Sequence, residues 1–151
     1  MCIGITLATF KSTEFLNELE RKIKDEADFI CRLVLVAKDS GSLKEREVLE
    51  GHRPGRLCGD VDGRIRIFNE IKARLGDKKQ NLSICTINTV PGMFMARFDE
   101  EIVFSPYLHL DGRQSFAFVV RRGAKGANLF RQLYDYMNDI ESKATKDVAG
   151  Q

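Results

Sequence analysis

The sequence predicts an α/β fold built on a mixed sheet flanked by helices. Three observations carry that expectation. "FICRLVLVAKDS" is a near-continuous apolar run of strand length, as in a strand covered on both faces. It follows an amphipathic stretch with helical spacing, so the opening elements read as a βαβ unit with a right-handed crossover. From Pro91 onward the side chains alternate with period two and are interrupted by turn signals, the pattern of antiparallel hairpins.

A first strand is expected over 3–10. In "KSTEFLNELERKIKDEAD", Ser12 or Thr13 caps a helix by accepting its orphan backbone N–H bonds, and Phe15, Leu16, Leu19 and Ile23 form its buried stripe. Residues 39–62 exchange apolar rhythm for Gly, Pro and charge, and are expected to be mostly loop with room for a short helix over 43–49. A longer helix is expected over 62–75, with Ile67, Phe68, Ile71 and Leu75 on one stripe and Gly76 placed to end it.

A strand over 82–90 stops at Pro91-Gly92. Beyond it Met93, Met95 and Arg97 share one strand face, while Phe94, Ala96 and Phe98 share the other. After the acidic turn Asp99-Glu100-Glu101, the residues Val103, Ser105, Tyr107 and His109 alternate with Ile102, Phe104 and Leu108. Asp111-Gly112 signals a second hairpin because both residues tolerate positive φ, and 115–122 returns as a strand. "GAKGAN" opens a last helix whose buried stripe is Leu129, Leu133, Met137 and Ile140. The expected organisation is one domain over 1–142 and a flexible tail over 143–151.

Composition excludes several classes. At 151 residues the chain fits one domain, and its 43% hydrophobic and 30% charged content is that of a globular protein rather than a disordered one. A net charge of +2 is too mild to mark a nucleic-acid binder, which gathers basic side chains on one face. No apolar run reaches the roughly 18 residues of a membrane span. "MCIGITLATF" lacks a basic leader and a cleavage site, so it reads as a buried strand in a cytoplasmic protein. Cys2, Cys31, Cys58 and Cys85 include no C-x-x-C pair and read as buried free thiols. With only two histidines as well, neither a metal nor a cofactor is expected.

The element order β-α-β-loop-α-β-hairpins-α and the stretch "RFDEEIVFSPY" resemble a single repeat of the phospholipase D superfamily over residues 3–141. They are similar too to bacterial domains of that fold that carry R-F-D-D/E before a strand. The resemblance implies a homodimer, since small nucleases of the superfamily build one active site from two subunits. Their motif is H-x-K-x-x-x-x-D followed by G-S-x-N, with histidine as nucleophile and lysine as phosphate clamp. With the aspartate placed on Asp99, the histidine position falls on Gly92 and the lysine position on Phe94. The second segment falls on Pro106, Tyr107 and His109, so Asp99 alone keeps its family role. The resemblance therefore implies a degenerate active site.

The polar residues left over suggest binding. Arginine's planar fork suits carboxylate or phosphate, so Arg97, Tyr107 and His109 are expected to line a pocket for an anionic ligand. Two basic clusters, "HRPGR" at 52–56 and "RRGAKGAN" at 121–128, would add a rim if they met at one sheet edge, with Arg121 and Arg122 as ligands. The expected function is a non-catalytic binding or regulatory module that senses a nucleotide or another small anion. The alternative is a diverged phosphodiesterase or nuclease using His109 with Arg97 and Asp99, and nucleic-acid binding through the basic loops is a weaker third reading.

Overall fold

The computed structural model describes residues 1–5, 7, 10, 12–107, 116–123 and 126–146. Its elements are β1 (Cys2–Ile3), α1 (Thr13–Asp25), β2 (Cys31–Val36), α2 (Gly41–Leu49), α3 (Arg56–Arg74), a 3-10 segment (Gly76–Asn81) and β3 (Leu82–Ile87). Then come β4 (Met93–Phe98), β5 (Glu101–Pro106), β6 (Phe118–Arg121), α4 (Ala127–Lys143) and β7 (Thr145–Lys146). Among the described residues one sheet runs in the order β6-β5-β4-β1-β2-β3-β7. β1, β2 and β3 are parallel neighbours, whereas β4, β5 and β6 form antiparallel ladders beginning at β1. The expected mixed α/β sheet is present.

Strand alternation sorts the core into layers. On one face Leu33 and Leu35 of β2 meet Leu19 and Ile23 of α1 and Phe68 and Ile71 of α3. On the other, Val34, Met95 and Ile102 meet Phe130, Leu133 and Met137 of α4. Helices cover β2 from both sides, as its unbroken apolar run requires. Burying a side chain such as the fully enclosed Phe68 contributes about 1.5–3 kcal/mol. A third cluster, of Ile5, Val36, Leu43, Leu57 and Val61, closes the carboxyl ends of β1 and β2 beneath α2 and the start of α3.

Local signals hold where the cause is local. Ser12 caps α1 by accepting from the Phe15 N–H at 3.2 Å. The turn after α3 has Gly76 at φ 59°, the left-handed conformation that glycine adopts without strain. The exposed face of α1 carries its charge as i,i+3 and i,i+4 ion pairs such as Arg21–Glu18.

The differences lie where distant residues decide. Residues 39–62 are largely helical rather than loop: α3 begins at Arg56, six residues before the expected start at 62. The cap comes from α2, because the buried Glu47 carboxylate accepts from the N–H groups of Gly55 at 2.9 Å, Leu57 at 2.5 Å and Cys58 at 3.2 Å. Those three bonds hold the Glu47 carboxyl below the ordinary glutamate range, the Gly55 bond foremost.

In α4 the buried stripe begins at Phe130, and Leu129 is exposed. The first residues of the expected tail are regular structure instead: α4 runs through Lys143, and Thr145 and Lys146 pair with Thr86 and Cys85 of β3, while 147–151 lie outside the described residues. The hairpin expected at Asp111-Gly112 lies outside the described residues, although β5 and β6 do pair antiparallel.

Among the described residues no helix is long and apolar enough to cross a membrane. All four cysteines are free thiols, with Cys2, Cys31 and Cys85 buried in β1, β2 and β3.

Candidate functional site

The period-two pattern of β4 puts Arg97 on the face of Met93 and Met95, and α4 covers that face. The Arg97 guanidinium therefore meets α4, with its central carbon 4.6 Å from the centre of the Tyr134 ring. Hydrogen bonding from Asn138 and from Arg97 lowers the Tyr134 hydroxyl pKa. Nη1 of Arg97 is buried and has no hydrogen-bond partner among the described residues. A buried donor left without an acceptor costs about 1–3 kcal/mol, so this one atom calls for an acceptor.

That acceptor has room. Arg97, Asp99, Arg122, Asn128, Arg131 and Tyr134 border an open cleft of about 710 Å³, floored by Phe130. The connection from β6 into α4 shapes it. A Cβ on Gly126 would lie 2.8 Å from the Arg121 carbonyl oxygen, so only glycine allows the start of α4 to approach the end of β6 this closely. Gly126 offers no side-chain cap, which leaves the first N–H groups of α4 without a side-chain acceptor.

The arginines differ in availability. The Arg131 side chain makes no hydrogen bond or ion pair with another described residue. Arg122 pairs with Glu100 at 3.2 Å, but both side chains are more than 60% exposed. Such a contact is worth about 0–1 kcal/mol, so Arg122 can exchange it for a ligand oxygen.

The expected site residues separate into groups. Arg97, Asp99 and Arg122 come together in the cleft. Arg121 does not join them: it pairs with Glu101 at 2.6 Å, in register with Phe98 on the face away from α4. The expected Arg97–Tyr107 pocket is overturned by register. Arg97 stands opposite Ile102, whereas Tyr107 has the parity of Val103 and Ser105, and its N–H bonds Gly92 at the far end of β4. Gly92 and Arg97 are five residue steps apart along the strand, about 17 Å.

Tyr107 serves the fold instead. Its hydroxyl accepts from the Ile5 N–H at 3.1 Å, and burial raises its pKa. His109 lies outside the described residues. The two basic clusters do not share an edge: 52–56 precedes α3 at the carboxyl end of β1 and β2, while Arg122 and Arg97 lie at the opposite end, where Arg97 N–H bonds the Met1 carbonyl.

Arg131, Tyr134 and Asn128 escaped the sequence reading. Their signal is weak but present: Arg131 and Tyr134 are three apart, on the flank of the Phe130–Leu133–Met137 stripe. Among the described residues no cluster of three His, Cys, Asp or Glu side chains is placed to hold a metal ion. No protein-family model matches the chain, nor does any curated protein or any solved structure.

Proposed function

We propose that this chain is a binding module of phospholipase D-like fold that does not catalyse, and that its ligand is a small anion held in the Arg97–Arg122–Arg131 cleft. The observation that carries the reading is the buried Nη1 of Arg97, which has no hydrogen-bond partner among the described residues, beside Arg131, whose side chain makes no ion pair with a described residue. An anionic oxygen satisfies the first and is attracted by the second. The α4 N-terminus adds partial positive charge from its unsatisfied N–H groups.

The non-catalytic half is supported at the positions where the superfamily keeps its chemistry. Gly92 carries no nucleophile. Phe94 packs against the α1 and α3 core, with its ring 5.7 Å from that of Phe10, so a hydrophobic contact occupies the place of the phosphate clamp. The same kinship carries the expectation of a homodimer, which sedimentation of the purified chain measures.

Calorimetric titration of the full chain with inorganic phosphate tests the anion site. Losing one charged hydrogen bond is worth about 1.5–3 kcal/mol, so Arg131→Ala should weaken binding roughly tenfold or more. Arg56→Ala, at the opposite end of the sheet, should leave it unchanged. Absence of phosphate binding, or equal loss in both variants, overturns the anion site. Sustained phosphodiester hydrolysis that vanishes in His109→Ala overturns the non-catalytic half.

A further inference from the structure

We infer that the cleft takes a nucleoside monophosphate whose base presents N–H donors, guanine most completely, rather than a bare inorganic anion. The inference rests on the anion-site reading and concerns the rest of the ligand.

Size is the first observation. A cleft of about 710 Å³ falls within the roughly 300–1,000 Å³ typical of small-molecule sites. A tetrahedral oxyanion on Arg97 and Arg131 leaves most of that space to water.

The second is the sign of what remains. Asp99 and Asp135 also line the cleft, and neither carboxylate makes a hydrogen bond or ion pair with a described residue, although three arginines border the same space. An exposed carboxylate is cheap to leave in water, so these two carry nothing alone. Beside Arg97, Arg122 and Arg131 they make the cleft bipolar, with an acceptor side next to a donor side. A ligand complementary to both has an anionic group and N–H donors.

Asp99 is moreover one of two described non-glycine residues with positive φ, at 47° in the two-residue turn between β4 and β5. Aspartate is among the few side chains that tolerate this conformation, and the turn sets it at the edge of the cleft.

The third observation is a flat surface. The Tyr134 ring, partly exposed at the cleft wall with the Arg97 guanidinium carbon 4.6 Å from its centre, is a planar group on which a nucleobase stacks and an aliphatic amine does not. Among the bases, guanine offers two adjacent donors, N1–H and the 2-amino group, which match the two oxygens of one carboxylate. Adenine and cytosine offer one amino group each, and uracil a single N–H.

The test is calorimetric titration of the full chain with GMP, AMP, UMP, O-phosphoserine and inorganic phosphate in one buffer. GMP should bind at least about tenfold tighter than phosphate, the yield of one good bidentate pair. The double variant Asp99→Asn, Asp135→Asn should erase the preference for GMP over phosphate, with phosphate itself bound no more weakly than by the wild type. Both positions are exposed, so folding is retained, and a circular dichroism melt checks it.

Phosphate binding with no gain for GMP overturns this inference and leaves the anion site standing. Tighter binding of O-phosphoserine than of GMP overturns the nucleoside assignment. Binding by neither phosphate nor GMP removes the anion site itself.

Discussion

Replacing Tyr107 by phenylalanine separates a residue that holds the fold from one that meets a ligand. The ring stays in the cluster with Ile5, Val36 and Leu43, and only the hydroxyl is lost. That hydroxyl lies 3.1 Å from the Ile5 N–H in tight surroundings: a Cβ on Gly4 would sit 3.1 Å from the same oxygen and 2.9 Å from Leu7. Leaving one largely buried donor unsatisfied costs about 1–3 kcal/mol.

With an unfolding entropy of about 2.1 cal/mol/K per residue, a chain of this length loses roughly 3 °C of Tm per kcal/mol, so a fall of about 3–10 °C is expected. Differential scanning calorimetry measures it, and titration with phosphate should show unchanged affinity, because the cleft lies at the other end of β4. An unaltered Tm, or a stable variant that no longer binds phosphate, would refute the structural role assigned to this hydroxyl.

Three further outcomes are expected. In a phenolate absorbance titration Tyr134 should ionise below the ordinary 10.0 and Tyr107 above it, and Arg97→Gln should move the early step upward; coincident ionisation would contradict the Arg97–Tyr134 stack. For Glu47→Gln, the sign follows from a folded pKa depressed below 4.5: the stabilisation is complete above the unfolded value and is lost as pH falls through the folded one. The Tm gap between wild type and variant should thus be widest at neutral pH and close on acidification, and a gap that persists in strong acid sinks the capping role. Burial pushes the Cys2 thiol up to about 11 and the Cys31 thiol up to about 12; the Cys58 thiol is raised as well, but it is the partly exposed one of the four. A thiol reagent followed by mass spectrometry should find Cys58 modified first in the folded chain, and rapid labelling of Cys31 would show that β2 is not covered.

The sequence by itself determined what nearest neighbours decide. Helical spacing placed Phe68 and Ile71 on the buried stripe of α3, the Ser12 cap began α1, and Gly76 ended α3. Strict alternation placed Arg97 with Met93 and Met95, and the acidic turn joined β4 to β5. Period two says which side chains share a face, but not what lies across from that face or which end of the sheet an element reaches.

Tertiary structure alone decided those matters. A carboxylate from α2, at Glu47, supplied the start of α3 that local sequence does not announce. Docking of α4 brought Arg131 and Tyr134 to Arg97, and the reversal of direction along β4 and β5 carried Tyr107 away from it. The physical reason is the same in each case. An orphan N–H or guanidinium is satisfied by whichever group the packed elements bring within 3 Å or so, and chain distance sets no limit on that.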